Sequence, residues 1–96
     1  MSPLKRKKLI KIRFQLDKLD SILIKIIKKR TILVKKVLAL KEKKNQIVDK
    51  KRINLILRNI RKKSLINGID PKITNRIWKN MIWSYIDFER RNFKKK

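Results

Sequence analysis

Three cations stand on or beside the apolar stripe of the first predicted helix. Leu9, Ile12, Leu16, Leu19, Leu23, Ile26, then Leu33 or Val34, then Val37 recur at the 3-4 spacing of one helix face. On that spacing Arg30 falls four residues after Ile26, Lys41 falls four after Val37, and Arg13 lies three before Leu16. A cation in an apolar face is costly unless paired. The chain has only 7 Asp+Glu against 31 Lys+Arg with which to pair it. An anionic ligand would supply the missing countercharge, or the long side chains snorkel out to water. Lys25, Lys28, Lys29, Lys35 and Lys36 fall mostly on the flanks or the opposite face, where solvated charge belongs.

Spacing limits what these cations can share. Arg30 and Lys41 are eleven residues apart, about 16 Å along a helix, with room between leaning side chains for a small dicarboxylate. Arg13 precedes Arg30 by seventeen residues, about 25 Å. One small molecule cannot touch both within one chain. If Arg13 serves the site, it comes from the second subunit of an antiparallel dimer. Two further groups join the candidates. Asp49 and Arg52 lie three apart in "DKKR", and Glu89 continues the stripe of Trp78, Ile82 and Tyr85 in the last helix. That carboxylate is either a salt-bridge partner or a ligand contact.

The elements that must carry these residues are all helical. Asn67-Gly68 offers a left-handed helix stop, Asp70 an N-cap and Pro71 a first helical position. A second boundary lies in "EKKNQIVDKKR", residues 42–52, where the apolar pattern lapses and Asp49 can cap a new helix. Three helices are expected, at about 6–43, 49–66 and 71–93, within one domain spanning 1–96. A basic arm of about 1–9 precedes them and a basic tail of about 94–96 follows. The first helix is too long for the other two to cover both its ends, and a partner chain is the economical solution.

Composition narrows the chemistry. With no cysteine and no histidine, the chain lacks the usual nucleophile, metal ligands and proton shuttle. Cysteine absence suits a reducing cytoplasm. No uncharged run approaches the roughly 20 residues that span a bilayer, and no secretory leader is expected. The formal net charge of +24 predicts attraction to polyanions or small dianions. A bias toward lysine, isoleucine and asparagine codons gives the same excess without a function. A basic helical nucleic-acid-binding protein is therefore a rival reading. It accounts for the basic ends but not for cations on the apolar stripe, and the chain has no basic-region zipper or zinc finger.

The pattern Arg13-x-x-Leu16-x-x-Leu19-Asp20, Arg30, Lys41, Asp49-x-x-Arg52 and a Glu in the last helix resembles the all-helical chorismate mutases and the related isochorismate-pyruvate lyases. The segment "NGIDPKITNRIWKNMIWSYIDFE" is similar to the last loop and helix of that family. The resemblance covers about residues 10–93. It implies an all-α, three-helix chain in an intertwined homodimer, converting chorismate to prephenate for aromatic amino acid biosynthesis without a cofactor. It implies carboxylate binding by Arg30 and by Arg13 from the other chain. Lys41 would bridge a carboxylate and the ether oxygen, with Glu89 at that oxygen. Asp49 and Arg52 would lie near the ring and its hydroxyl, and Tyr85 would close the carboxylate pocket. Many mutases place Glu after the matched arginine to hold the ring hydroxyl, whereas this chain has Ile53. The lyases also tend to be apolar there, which leaves chorismate and isochorismate both open as substrate.

Overall fold

The computed structural model describes residues 1–94, so Lys95 and Lys96 of the expected basic tail lie outside the described residues. Three α-helices are present: α1 (Pro3–Leu40), α2 (Lys50–Ile66) and α3 (Pro71–Asn92), with a single 3-10 turn at Lys44–Gln46 between the first two. No strand occurs among the described residues. The chain forms two compact units, residues 1–34 and residues 35–96.

The first unit is the greater part of α1. Its helix begins earlier than the apolar pattern suggests. Ser2 accepts the backbone N–H of Lys5 on its hydroxyl at 3.2 Å, and Pro3 takes the first helical position, where a missing N–H costs nothing. The expected basic arm is therefore helical. No residue of α1 is buried. Ile10, Ile12, Phe14, Leu16, Leu19 and Leu23 are each more than half exposed. Lys18 lies over the ring of Phe14, one turn back, at 4.7 Å from its centroid.

The second unit holds the core. Ile47, Ile82 and Ile86 are buried, and Leu38, Val48, Ile53, Ile56, Leu57 and Phe93 pack around them. Burying a side chain of this size contributes about 1.5–3 kcal/mol, so the core is small. A polar tie joins α2 to α3: the hydroxyls of Ser64 and Thr74, both buried, lie 2.7 Å apart. Ser64 lies 2.6 Å from the Ile60 carbonyl and Thr74 lies 3.3 Å from the Pro71 carbonyl, so each hydroxyl has a backbone acceptor and one of the two donates to the other.

Both turns of this unit are fixed by hydrogen bonds. Gly68 has φ 66°, the left-handed conformation that glycine adopts without a Cβ penalty. The N–H of Ile69 reaches the Ser64 carbonyl at 2.8 Å and that of Gly68 the Leu65 carbonyl at 3.3 Å, which together form a Schellman stop. Asp70 then caps α3 by accepting the Lys72 N–H at 2.9 Å. The earlier turn is held from within. The Gln46 side-chain oxygen accepts the N–H groups of Glu42 and Lys43 at 2.7 and 2.9 Å. With those donors diverted, α1 stops at Leu40, three residues before the expected end. Asp49 caps α2, as expected, accepting the Arg52 N–H at 3.0 Å.

Candidate active site

Lys41 stands one residue beyond the end of α1, still held to it by its N–H on the Leu38 carbonyl at 3.1 Å. Its ammonium does not reach out to solvent. Nζ donates to Glu89 Oε2 at 2.8 Å and to the Ile47 carbonyl at 3.3 Å, and the side chain is only 17% exposed. Glu89 is buried on α3, with 9% of its side chain exposed. The stripe explains that burial. Ile82, Ile86 and Glu89 follow the 3-4 spacing that turns one side of α3 inward, with Trp78 and Tyr85 half-buried beside them. The carboxylate thus occupies a core position and takes its countercharge from a residue 48 positions earlier in the chain.

Next to this pair lies a depression of about 690 Å3 bordered by Val37, Leu40, Lys41, Val48 and Asp49. The unit therefore brings Lys41, Glu89 and Asp49 into one neighbourhood. Lys41 and Asp49 border the depression beside the apolar Val37, Leu40 and Val48, and Glu89 is joined to it through Lys41. Arg52, in the first turn of α2, is exposed, and Tyr85 is half-buried. Arg13 and Arg30 belong to the first unit. Arg13 is exposed and Arg30 half-buried, the least exposed cation of that unit. Seventeen residues of continuous helix separate the two, about 25 Å along its axis. The site contacts that sequence reasoning missed are Gln46, whose side chain shapes the turn, and the Ile47 carbonyl, which orients Lys41. A backbone acceptor leaves no mark in the residue pattern. Gln46 did, as a polar residue just before an apolar pair at a turn.

Among the described residues no group of three or more Asp or Glu side chains could hold a metal ion. No helix there is long and apolar enough to cross a membrane.

The family model for chorismate mutase type II matches residues 12–90, most of the chain. The chain belongs to the chorismate mutase type II family. The matched span runs from just before Arg13 to just after Glu89, so it encloses every candidate residue. The three helices, with no strand among the described residues, agree with this all-α family. No curated protein and no solved structure matches the chain.

Proposed function

We propose that the protein is a chorismate mutase, rearranging chorismate to prephenate in aromatic amino acid biosynthesis. The observation that carries this reading is the buried Lys41–Glu89 contact at 2.8 Å within a chain of this family. The reaction is an intramolecular rearrangement: the C–O bond to the enolpyruvyl ether breaks as a C–C bond forms. No group leaves and no proton must move. The protein's task is to hold the dianion in its compact conformer and to meet the negative charge that grows on the ether oxygen.

Each candidate takes a role in that task. Lys41 stabilises the charge on the ether oxygen. Two of its three N–H donors are used within the chain, and the third is available to substrate. Glu89, in contact with Lys41, faces the same oxygen. Arg30 binds one carboxylate, and Arg13 of a second copy of the chain binds the other. Asp49 and Arg52 meet the ring and its hydroxyl, and Tyr85 closes the carboxylate pocket. The antiparallel homodimer that this requires is supported by the exposed stripe Ile12–Leu16–Leu19–Leu23. A row of unburied apolar side chains on one helix suits packing against a second copy.

The lyase reading has its own support. Ile53, where many mutases carry a hydroxyl-binding Glu, is half-buried and packs on the Ile47–Ile82–Ile86 core. A side chain committed to the core cannot bind a ring hydroxyl. One experiment separates the readings: loss of chorismate absorbance, repeated with isochorismate while watching for fluorescent salicylate. The mutase reading expects turnover of chorismate and its abolition in Arg30→Ala with helical content unchanged. Salicylate formation without chorismate turnover assigns the lyase. Wild-type rates in Arg30→Ala refute the site.

A further inference from the structure

The chain carries 22 lysines and 9 arginines, and Arg58 and Arg61 are among the arginines with no part in the site above. Arg58 and Arg61 lie three residues apart on α2, close enough for both guanidinium groups to face one opening. They border a cavity of about 520 Å3 between α2 and α3, into which α3 contributes Lys72 and Asn75 and α2 also contributes Asn54. Leu57 and Pro71 form its apolar wall. It shares no lining residue with the depression beside Lys41 and Asp49.

We propose that this cavity binds a small molecule carrying a diphosphate group. Its cations lack protein countercharge. Between Lys50 and Ile66, α2 contains no acid, and the first acid within α3 is Asp87. The nearest acid in sequence, Asp70, is turned to the Lys72 backbone N–H as the α3 cap. Among the described residues, no carboxylate lies within ion-pair distance of Arg58, Arg61 or Lys72. Three like charges around one concavity repel, and an oxyanion between them relieves that repulsion. Two linked phosphates carry roughly three negative charges near neutral pH, which match the three cations. The guanidinium forks of Arg58 and Arg61 suit bidentate contact with phosphate oxygens better than lysines would. The amides of Asn54 and Asn75 add neutral donors. The cavity also stands on the opposite side of α3 from Ile73 and Ile77, whose exposed apolar side chains form that helix's other flank.

The test is calorimetric titration of the full chain with inorganic pyrophosphate at fixed ionic strength. Saturable binding at one site per chain is expected. Arg58→Gln/Arg61→Gln weakens it at least tenfold. Lys62→Gln/Lys79→Gln removes the same charge elsewhere on α2 and α3 and changes it less than twofold. Equal weakening by the two pairs would mean that bulk charge alone attracts the anion, and it overturns the proposal, as does absence of saturable binding. If Arg58→Gln/Arg61→Gln loses helical content, Arg58→Lys/Arg61→Lys keeps the charge but not the fork. A threefold or greater loss is expected there, and unchanged affinity overturns the proposal. A short single-stranded RNA is the second ligand. If it binds a hundredfold tighter than pyrophosphate and loses affinity in the same arginine pair, the occupant is a nucleic acid strand and the small-ligand assignment fails. Because the two sites share no residue, pyrophosphate binding is read without chorismate, and failure of either assignment leaves the other intact.

Discussion

Removing both members of the Lys41–Glu89 pair is expected to cost far less than the sum of removing each alone. At 2.8 Å and an effective dielectric constant of about 20, the attraction between the two charges is about 6 kcal/mol. Desolvation of each ion costs several kcal/mol, so the intact pair contributes little net stability. Truncating one partner leaves the other charge in place without its countercharge. Lys41→Met and Glu89→Leu are each expected to destabilise the fold by about 2–3 kcal/mol. The lysine change should be the larger of the two. Glu89, with 9% of its side chain exposed, has little water to turn to, whereas Lys41 keeps the Ile47 carbonyl and nearly twice the exposure. The double variant removes both charges and is expected to cost about 2 kcal/mol, giving a coupling of about 3 kcal/mol. Urea unfolding followed by far-UV circular dichroism, at one protein concentration for all four proteins, measures the cycle. Coupling below about 1 kcal/mol would refute the reasoning, because two charges in contact in a nearly dry site cannot act independently. Turnover separates stability from chemistry. Lys41→Met is expected to lose at least 100-fold in kcat, the scale of one lost transition-state donor, under conditions where it remains folded.

Three other outcomes follow from specific contacts. In Glu89→Gln the amide can accept from Lys41 and donate to the ether oxygen at any pH. Its kcat/KM at neutral pH should match or exceed the wild-type value; complete loss of turnover would assign Glu89 to structure alone. Gly68→Ala should cost about 1–2 kcal/mol in urea unfolding, since Gly68 has φ 66° and a Cβ there meets no heavy atom within 4 Å, so the penalty is conformational and not steric. A cost above about 3 kcal/mol would contradict that account. Ser64→Ala should cost about 1–2 kcal/mol by leaving the buried Thr74 hydroxyl with only the Pro71 carbonyl at 3.3 Å, and adding Thr74→Val should recover part of it; additive losses would mean that the two hydroxyls are not coupled.

What the sequence makes legible is governed by local rules. Gly68, Asp70 and Pro71 each act within a few residues, and the turn between α2 and α3 forms where their types require it. The inward position of Glu89 follows from helical period alone. The end of α1 does not. Lys41 continues the spacing of the stripe, yet the helix stops at Leu40 because a side chain six residues on takes the N–H groups that would extend it. The start at Pro3 is hidden for a related reason: Ser2 caps a run of lysines whose apolar pattern has not yet begun. Burial of Ser64 and Thr74 escapes any pattern that treats hydroxyls as surface, because the two satisfy each other only once α2 and α3 have met. Apolar periodicity marks a stripe along α1, but a stripe says which side seeks burial and not what provides it. In the folded chain Ile12, Leu16, Leu19 and Leu23 remain exposed.

The 48-residue separation of Lys41 and Glu89 has a consequence for synthesis on the ribosome. Synthesis runs from N- to C-terminus, so α1, a helix that buries none of its own residues, emerges before α2 and α3. Of the three buried isoleucines, two lie on α3, and the countercharge of Lys41 lies beyond them. Before α3 is made, the core lacks Ile82 and Ile86 and Lys41 lacks Glu89. Folding of the second unit therefore waits for nearly its last turn of helix, and the nascent chain stays open while its apolar α1 stripe is already in water. A chain arrested before residue 82 would present that stripe with no core to anchor it. Such a truncated product is the form most exposed to chaperones and proteases.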